Sequence, residues 1–236
     1  MKAVLLAAGK GTRLKPLTDN IPKVVIPVNG KPVLEYHVEQ LPKAKIRDIF
    51  INLHHLPEKI KGHFKDGKKW DMNIHYSYEP EILGTAVAVK KLEKDLGYEP
   101  FLVVYGDNYL EIEHRNFIEY AEKKGGIGSI IAFEKEDVSG CGILDINSEM
   151  LIKNYKEKPE EHEVFSNCVS AGVFYFCKKI FEYIPSWFSD FGYDVLPNVL
   201  IREEKLYTYI LENKVSGIDN PDSLQKLKSE VEIQNI

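Results

Sequence analysis

Three cysteines in 236 residues, Cys141, Cys168 and Cys177, are too few to staple this fold. They are odd in number, form no Cys-x-x-Cys pair and sit in apolar stretches, so they read as small buried hydrophobic residues of a reducing compartment. No apolar run approaches the roughly 20 residues that a membrane-spanning helix requires. Ala3–Ala8 is too short for the apolar part of a secretory signal and runs straight into Gly9-Lys10-Gly11-Thr12-Arg13. A cytoplasmic protein without membrane contacts is expected. Positive charge is not in excess: 31 Lys and Arg against 36 Asp and Glu leave a net charge of −5. That balance argues against a general polyanion binder such as a nucleic-acid protein, and leaves room for one local basic pocket. Internal repeats, low-complexity stretches and proline- or glycine-rich linkers are also missing. The chain therefore reads as a single domain, 1–236, with lobes of roughly 1–125 and 126–236.

What is present is an ordinary globular composition, 44% hydrophobic and 28% charged, in a chain long enough to bury its own core. In the first half, short β-branched runs alternate with amphipathic stretches, the grammar of a sheet with helices on both faces. The strands are expected at Ala3–Ala8, Asp48–Leu53, Asn73–Tyr78 and Phe101–Tyr105. The helices are expected at Val33–Leu41, Pro57–Phe64, Thr85–Leu96 and His114–Lys124. After Gly125-Gly126 the text becomes strand-rich, with Ser129–Glu134, Cys141–Ile146, Leu151–Glu157 and Val169–Cys177. Helices near Lys178–Ile184 and Tyr193–Glu203, a last strand pair and a closing helix near Ser223–Val231 complete the chain. The residues point to the α/β class.

The most informative segment runs from Leu5 to Lys23. A buried strand enters a loop in which Ala7, Ala8, Gly9 and Gly11 leave the backbone bare, so amide groups can approach an anion, and Arg13 and Lys23 add positive charge. A dinucleotide fingerprint fails because Leu14 stands at its third glycine, and a Walker loop fails because Pro32 follows Gly30-Lys31. Asp107 follows Phe101–Tyr105, at the carboxyl end of a strand, where open α/β sheets bind ligands and where a hard carboxylate suits Mg²⁺. No Ser-His-Asp or Cys-His set stands out.

Leu5-Leu6-Ala7-Ala8-Gly9-Lys10-Gly11-Thr12-Arg13-Leu14-Lys15-Pro16-Leu17-Thr18, with Pro22-Lys23, resembles the signature of the sugar-phosphate nucleotidyltransferases. The resemblance continues through Glu79–Ala86, Gly106-Asp107, Tyr155–Pro159, Ser170–Val173 and Asp194–Pro197. It implies a Rossmann-like three-layer α/β/α sandwich with a mixed, mainly parallel central sheet. The implied reaction joins a nucleoside triphosphate to a sugar 1-phosphate and releases pyrophosphate. The implied nucleotide contacts are Leu6, Ala8, Gly9, Gly11, Thr12, Glu79, Gly84 and Thr85, with Arg13 and Lys23 at the reacting phosphates. Gly142, Glu157, Lys158 and Ser170 would hold the sugar phosphate; Ser170 replaces a more usual Asn. Asp107 and a second carboxylate would hold Mg²⁺. The common position of that second ligand is Gly217 here, and related branches place it two residues later, at Asp219. Asp219 or Asn220 before Pro221 also reads as a helix N-cap.

Relatives that use uridine or thymidine nucleotides tend to carry Gln at position 79. Glu only accepts hydrogen bonds when ionised, which suits guanine's N1–H and exocyclic amine, so GTP is the expected nucleotide. UTP, dTTP or CTP, a non-sugar phosphate acceptor such as phosphocholine, and a noncatalytic regulatory homologue are the alternatives. About 15 residues follow Pro221, so no hexapeptide-repeat acyltransferase half is expected, while homo-oligomer formation is left open. His54-His55 reads as a strand end, and Phe174, Tyr175 and Phe176 read as core. Trp187 and Phe188 also read as core rather than as a subunit contact.

Overall fold

The computed structural model describes residues 1–212 and 215–233. The chain forms two compact units, each assembled from separated segments. The first takes in Lys2–Ile82, Val104–His114 and the chain from Val215 onward; the second takes in Leu83–Val103 and most of the chain from Arg115.

The first unit opens with β1 (Lys2–Leu6), whose residues from Ala3 onward are buried. A two-residue hairpin, β2 (Pro27–Val28) and β3 (Lys31–Pro32), turns through Asn29 and Gly30, both at positive φ, as a tight Asn-Gly turn requires. Then come α1 (Val33–Gln40), β4 (Asp48–Leu53), α2 (Pro57–Phe64) and β5 (Asn73–Tyr78). β1 pairs parallel with β4, Leu6 opposite Asn52, and β4 pairs parallel with β5, Leu53 opposite Tyr78. β4, α2 and β5 lie where the apolar pattern puts them. β1 is shorter than Ala3–Ala8 because the backbone leaves the ladder at Ala7.

The helix expected over Thr85–Leu96 is two pieces, α3 (Thr85–Lys90) and α4 (Glu93–Leu96). They separate where Leu92 N–H bonds to Val89 rather than four residues back, and its φ of −95° and ψ of 7° leave the helix. β6 (Phe101–Tyr105), β7 (Asn108–Tyr109) and α5 (His114–Lys124) follow. The second unit then builds an antiparallel ladder from β8 (Gly128–Glu134), β9 (Gly142–Ile146), β10 (Ile152–Glu157) and β11 (Cys168–Phe176). β10 pairs with β9, and β11 pairs with both β9 and β8. Phe174, Phe176 and Phe191 stack in the core of this unit at centroid separations of 5.2–5.9 Å.

Lys178–Tyr183 is a 3₁₀ segment rather than an α-helix. The segment expected as a helix from Tyr193 opens as a π-turn over Phe191–Val195 and becomes α6 only at Leu196–Ile201. Pro197 explains that start: it has no N–H to donate and is tolerated in the first turn. β12 (Leu206–Ile210) and β13 (Ser216–Gly217) are not partners of each other, contrary to the expected last strand pair. β12 pairs parallel with β8, and β13 pairs antiparallel with β7.

The chain closes with α7 (Pro221–Ile233), which buries Leu224, Leu227 and Val231, an i, i+3, i+7 stripe, against Ile26, Val28, Tyr109 and Ile218. Each such side chain contributes about 2 kcal/mol by burial. The α/β class with a mixed sheet is thus the class observed. Among the described residues no helix is long and apolar enough to cross a membrane.

Four side-chain placements differ from the sequence reading. Trp187 and Phe188 are 74% and 60% exposed, because they fall in a segment without helix or strand that no apolar face covers. Cys168 is buried, but Cys141 and Cys177 are only partly so, since they flank β9 and β11 rather than lie inside them.

Candidate active site

The loop after β1 is held open from inside the first unit. Gly11 sits at φ +62°, and a Cβ there would come within 2.8 Å of the Thr18 methyl and 3.1 Å of Lys23 Cβ. Thr18 donates to the Gly11 carbonyl at 2.8 Å, and Leu14 N–H donates to the same oxygen at 2.9 Å. No other residue type fits Gly11 without strain. A Cβ on Gly9, by contrast, would meet open space, so bare backbone at Gly9 is not required by packing. The side chains of Leu6 and Ala8 turn into the core, while Thr12 and Arg13 are exposed.

Lys23, delivered by the turn after Pro22, is the hub of a charged cluster. Its side chain is 9% exposed, and its ammonium donates to Asp107 at 2.5 Å and to Asp219 at 2.9 Å. Arg13 donates to the same oxygen of Asp219 at 3.0 Å. Burial opposes the charge on Lys23, but the two carboxylates outweigh it and hold the pKa above its ordinary value.

Asp107 reaches the cluster because Gly106 lets β6 and β1 approach. Gly106 N–H donates to Leu6 O at 3.0 Å, and a Cβ at Gly106 would fall 2.9 Å from that oxygen. Asp219 arrives through the β7–β13 ladder, Gly217 opposite Asn108, with Ile218 N–H bonding to the Asp107 carbonyl at 3.2 Å. A Cβ at Gly217 would meet Asp219 Oδ2 at 2.8 Å and Asn108 Oδ1 at 3.1 Å. A side chain at position 217 would therefore point to the space that the Asp219 carboxylate occupies. The α7 cap is Asn220: Ser223 N–H donates to Asn220 Oδ1 at 2.8 Å, and Asn220 N–H donates to Ser223 Oγ at 3.1 Å. Asp219 is thus turned to Lys23 and Arg13 instead of to the helix. Among the described residues no cluster of three or more His, Cys, Asp or Glu forms a protein cage for a metal. Two hard carboxylates fit Mg²⁺, which is commonly bound by one or two carboxylates together with water and substrate phosphates.

Glu79 is 1% exposed, at the end of β5 in the first unit. Asn52 Nδ2 donates to its Oε1 at 2.8 Å, and His54 Nδ1 lies 2.9 Å from its carbonyl oxygen. The Ala7 amide, at the start of the loop after β1, donates to Asn52 Oδ1 at 2.6 Å.

In the second unit, Glu157 stands opposite Gly142 on the β9–β10 ladder. The Tyr155 hydroxyl donates to Glu157 Oε2 at 2.6 Å. A Cβ at Gly142 would overlap both Tyr155 and Glu157, and one at Gly192 would overlap the Glu157 carboxylate. Lys158 adopts a left-handed φ of +44°, its N–H donating to Cys141 O at 2.9 Å, and its ammonium sits 5.9 Å from the Tyr193 ring centroid. Ser170 accepts from Gly172 N–H at 3.3 Å. Gly84, at φ +82°, packs on the Ser189 backbone, and both the amide and the hydroxyl of Thr85 donate to Asp190 at 2.9 Å.

Residues 2–232 match the family model described as Nucleotidyl transferase. The chain belongs to the nucleotidyl transferase family. A UTP--glucose-1-phosphate uridylyltransferase of Synechocystis sp. is 32% identical over all of this chain, which spans 65% of that relative. The Candida glabrata protein named mannose-1-phosphate guanyltransferase 2 is 30% identical over 94% of the chain, which spans 62% of it. The crystal structure of HddC from Yersinia pseudotuberculosis complexed with GMP-PN is 26% identical, with a TM-score of 0.81 and coverage of 98% of this chain and 99% of that one. The chain thus spans a little under two thirds of these two curated relatives.

In this member of the family the structure brings Arg13, Lys23, Asp107 and Asp219 together in one unit, and Gly142 and Glu157 in the other. Three residues that touch candidate site residues, Asn52, Asp190 and Gly192, lie outside the matched motifs, whereas Tyr155 opens one of them. Asn52 shows in the sequence only as a polar break in an apolar strand. Tyr155 is marked by its i, i+2 spacing from Glu157 on a strand. Gly192 and Asp190 have no local signal, because their partners lie far away in sequence.

Proposed function

We propose that the chain transfers a nucleotidyl group, from GTP in the first instance, to a sugar 1-phosphate, giving a nucleotide sugar and pyrophosphate. A sugar phosphate oxygen forms the new bond to the α-phosphorus as the bond to the bridging oxygen of pyrophosphate breaks. That oxygen is already ionised at neutral pH, so no general base is needed. The work is to hold two anions and offset the charge that moves to the leaving group.

The observation that carries this reading is Lys23, a buried ammonium shared by Asp107 and Asp219 with Arg13 beside it. Arg13 and the loop around Gly9, Gly11 and Thr12 would bind the β- and γ-phosphates, and Lys23 the reacting phosphate. Asp107 and Asp219 would hold Mg²⁺, which when bound neutralises charge on the phosphates. In the second unit, Glu157 would accept from sugar hydroxyls while Lys158 pairs the sugar phosphate, and Gly142 and Ser170 would line the sugar. Gly84 and Thr85 would serve the nucleotide, although Thr85 is turned to Asp190.

Glu79 supports guanine, as does likeness to a guanyltransferase and to a protein complexed with GMP-PN. The uridylyltransferase relative supports UTP as the second reading. A pyrophosphate-release screen of GTP, UTP, dTTP, CTP and ATP against a panel of sugar 1-phosphates tests the proposal. Release with GTP well above the others is expected. Preference for UTP or dTTP overturns the base assignment, and no release with any pair favours a noncatalytic binder.

A further inference from the structure

β7 is two residues long, yet both candidate metal ligands depend on it. Asp107 directly precedes it, and Asp219 lies two residues past β13, its antiparallel partner. Asp107 O accepts from Ile218 N–H at 3.2 Å and Tyr109 stands opposite Ser216, so residues 107 and 109 face β13. In extended backbone the groups at 108, 110 and 112 then point to the other edge. Among the described residues this sheet has two strands, and side chains of α1 stand where a third would be. Asn108 O accepts from His37 Nε2 at 2.6 Å, Leu110 O accepts from Gln40 Nε2 at 3.0 Å, and Ile112 N–H donates to Gln40 Oε1 at 2.9 Å. A Cβ at Gly106 would fall 2.7 Å from Leu34 Cδ1, so Leu34, His37 and Gln40, three residues apart on one face of α1, meet Gly106, Asn108 and Leu110 in turn. The Tyr36 and Tyr109 rings add an edge-to-face contact at 4.8 Å.

We propose that His37, together with Gln40, is a positioning residue that holds β7 against β13 and so sets the spacing of the Asp107 and Asp219 carboxylates for a divalent cation. This rests on the reading of those two carboxylates as the metal pair. The direction of the His37 bond is fixed by chemistry: a carbonyl oxygen can only accept, so Nε2 carries the hydrogen. His37 is 0% exposed, and burial pushes its pKa down to about 4, so the ring is neutral at pH 7. Nδ1 is bare in that tautomer and has no hydrogen-bond partner among the described residues, which leaves the bond to Asn108 as the ring's one polar contact. A two-residue ladder has little rigidity of its own. The bonds from α1 supply it, on the edge opposite the one that leads to Asp219. Mg²⁺ tolerates little departure from octahedral geometry, so a small rotation of β7 that parts the two carboxylates weakens the site.

The test compares His37→Leu, which keeps the bulk and loses the donor, with His37→Gln, whose side-chain NH₂ group can still donate to Asn108 O. Mn²⁺ binding without substrates, followed by electron paramagnetic resonance, is the first readout, and kcat and KM for pyrophosphate release are the second. His37→Leu should weaken Mn²⁺ binding by about tenfold or more and lower kcat with the KM for sugar 1-phosphate unchanged, and His37→Gln should return most of both losses. Unchanged Mn²⁺ affinity in His37→Leu overturns the proposal. Equal weakening in His37→Leu and His37→Gln also overturns it, because the loss would then belong to ring packing and not to the hydrogen bond. Wild-type Mn²⁺ binding that is indifferent to Asp107→Asn overturns the metal pair and the proposal with it. A protein whose Mn²⁺ binding follows the expected pattern but which releases no pyrophosphate overturns the proposed reaction and leaves the positioning role standing. If His37→Leu does not fold, Gln40→Met, at a half-buried position, replaces it with weaker Mn²⁺ binding expected; wild-type affinity in that variant overturns the proposal.

Discussion

Lys23 and Asp107 meet at 2.5 Å, and the same ammonium reaches Asp219 at 2.9 Å, so one buried cation balances two carboxylates drawn from distant parts of the sequence. The proposed chemistry starts from that balance.

Replacing Lys23 by Met removes the cation and leaves the two carboxylates facing each other. Pyrophosphate release should fall by about 100-fold or more, as when one charge-stabilising donor is lost from an active site. Mn²⁺ binding to the folded variant should tighten, because a competing ammonium is gone. Titration by electron paramagnetic resonance checks this, and weaker Mn²⁺ binding would speak against Asp107 and Asp219 as the metal pair.

Gly217→Ala places a methyl group 2.8 Å from Asp219 Oδ2 without touching the charge of any residue. Activity should fall by about 100-fold through displacement of that carboxylate, approaching the loss in Asp219→Asn. Thermal unfolding followed by circular dichroism should show a cooperative transition close to that of the wild type.

Gly192→Ala pushes against the Glu157 carboxylate in the second unit. The KM for the sugar 1-phosphate should rise by about tenfold while the KM for the triphosphate stays the same, the pattern of a lost contact to one substrate. Equal rises in both constants would argue that Glu157 has a general structural role.

Glu35, on α1, accepts from His63 at 2.6 Å and from Lys69 at 3.1 Å. Burial would raise its pKa, but the hydrogen bonds from His63 and Lys69 prevail and hold it below the ordinary carboxylate value. A depressed folded-state pKa stabilises the protein above the unfolded-state pKa, and that contribution is lost as pH falls through the folded one. At pH 7, Glu35→Gln should cost about 1–3 kcal/mol by urea unfolding. The gap from wild type should begin to narrow near the unfolded-state value of about pH 4 and close as pH falls further, through the depressed folded-state value.

Much of the fold is legible because periodicity reports burial directly. Asp48–Leu53, Pro57–Phe64, Asn73–Tyr78, Phe101–Tyr105 and His114–Lys124 form elements with the ends their apolar patterns indicate. Periodicity is silent about partners. β13 is two residues long and gains its place from pairing with β7, so nothing near Ser216 announces that it pairs there rather than with β12. The same limit applies to the candidate site. Arg13, Lys23 and Asp107 sit in recognisable local patterns. Asp219 reads equally as a metal ligand or as a helix cap, and the Asn220–Ser223 bonds give the cap to Asn220. Asn52 and Gly192 matter through contacts that a linear reading does not contain. Trp187 and Phe188 look like core by composition, yet they stand exposed because no element covers them.

The most direct measurement is pyrophosphate release from GTP and a panel of sugar 1-phosphates by the purified chain, with Mg²⁺ and with chelator, in the wild type and in Asp107→Asn and Asp219→Asn. Release should need both substrates, stop in chelator and drop by about 100-fold or more in each variant. Release that persists in chelator, or that survives unchanged in either variant, would contradict the proposed metal-dependent transfer.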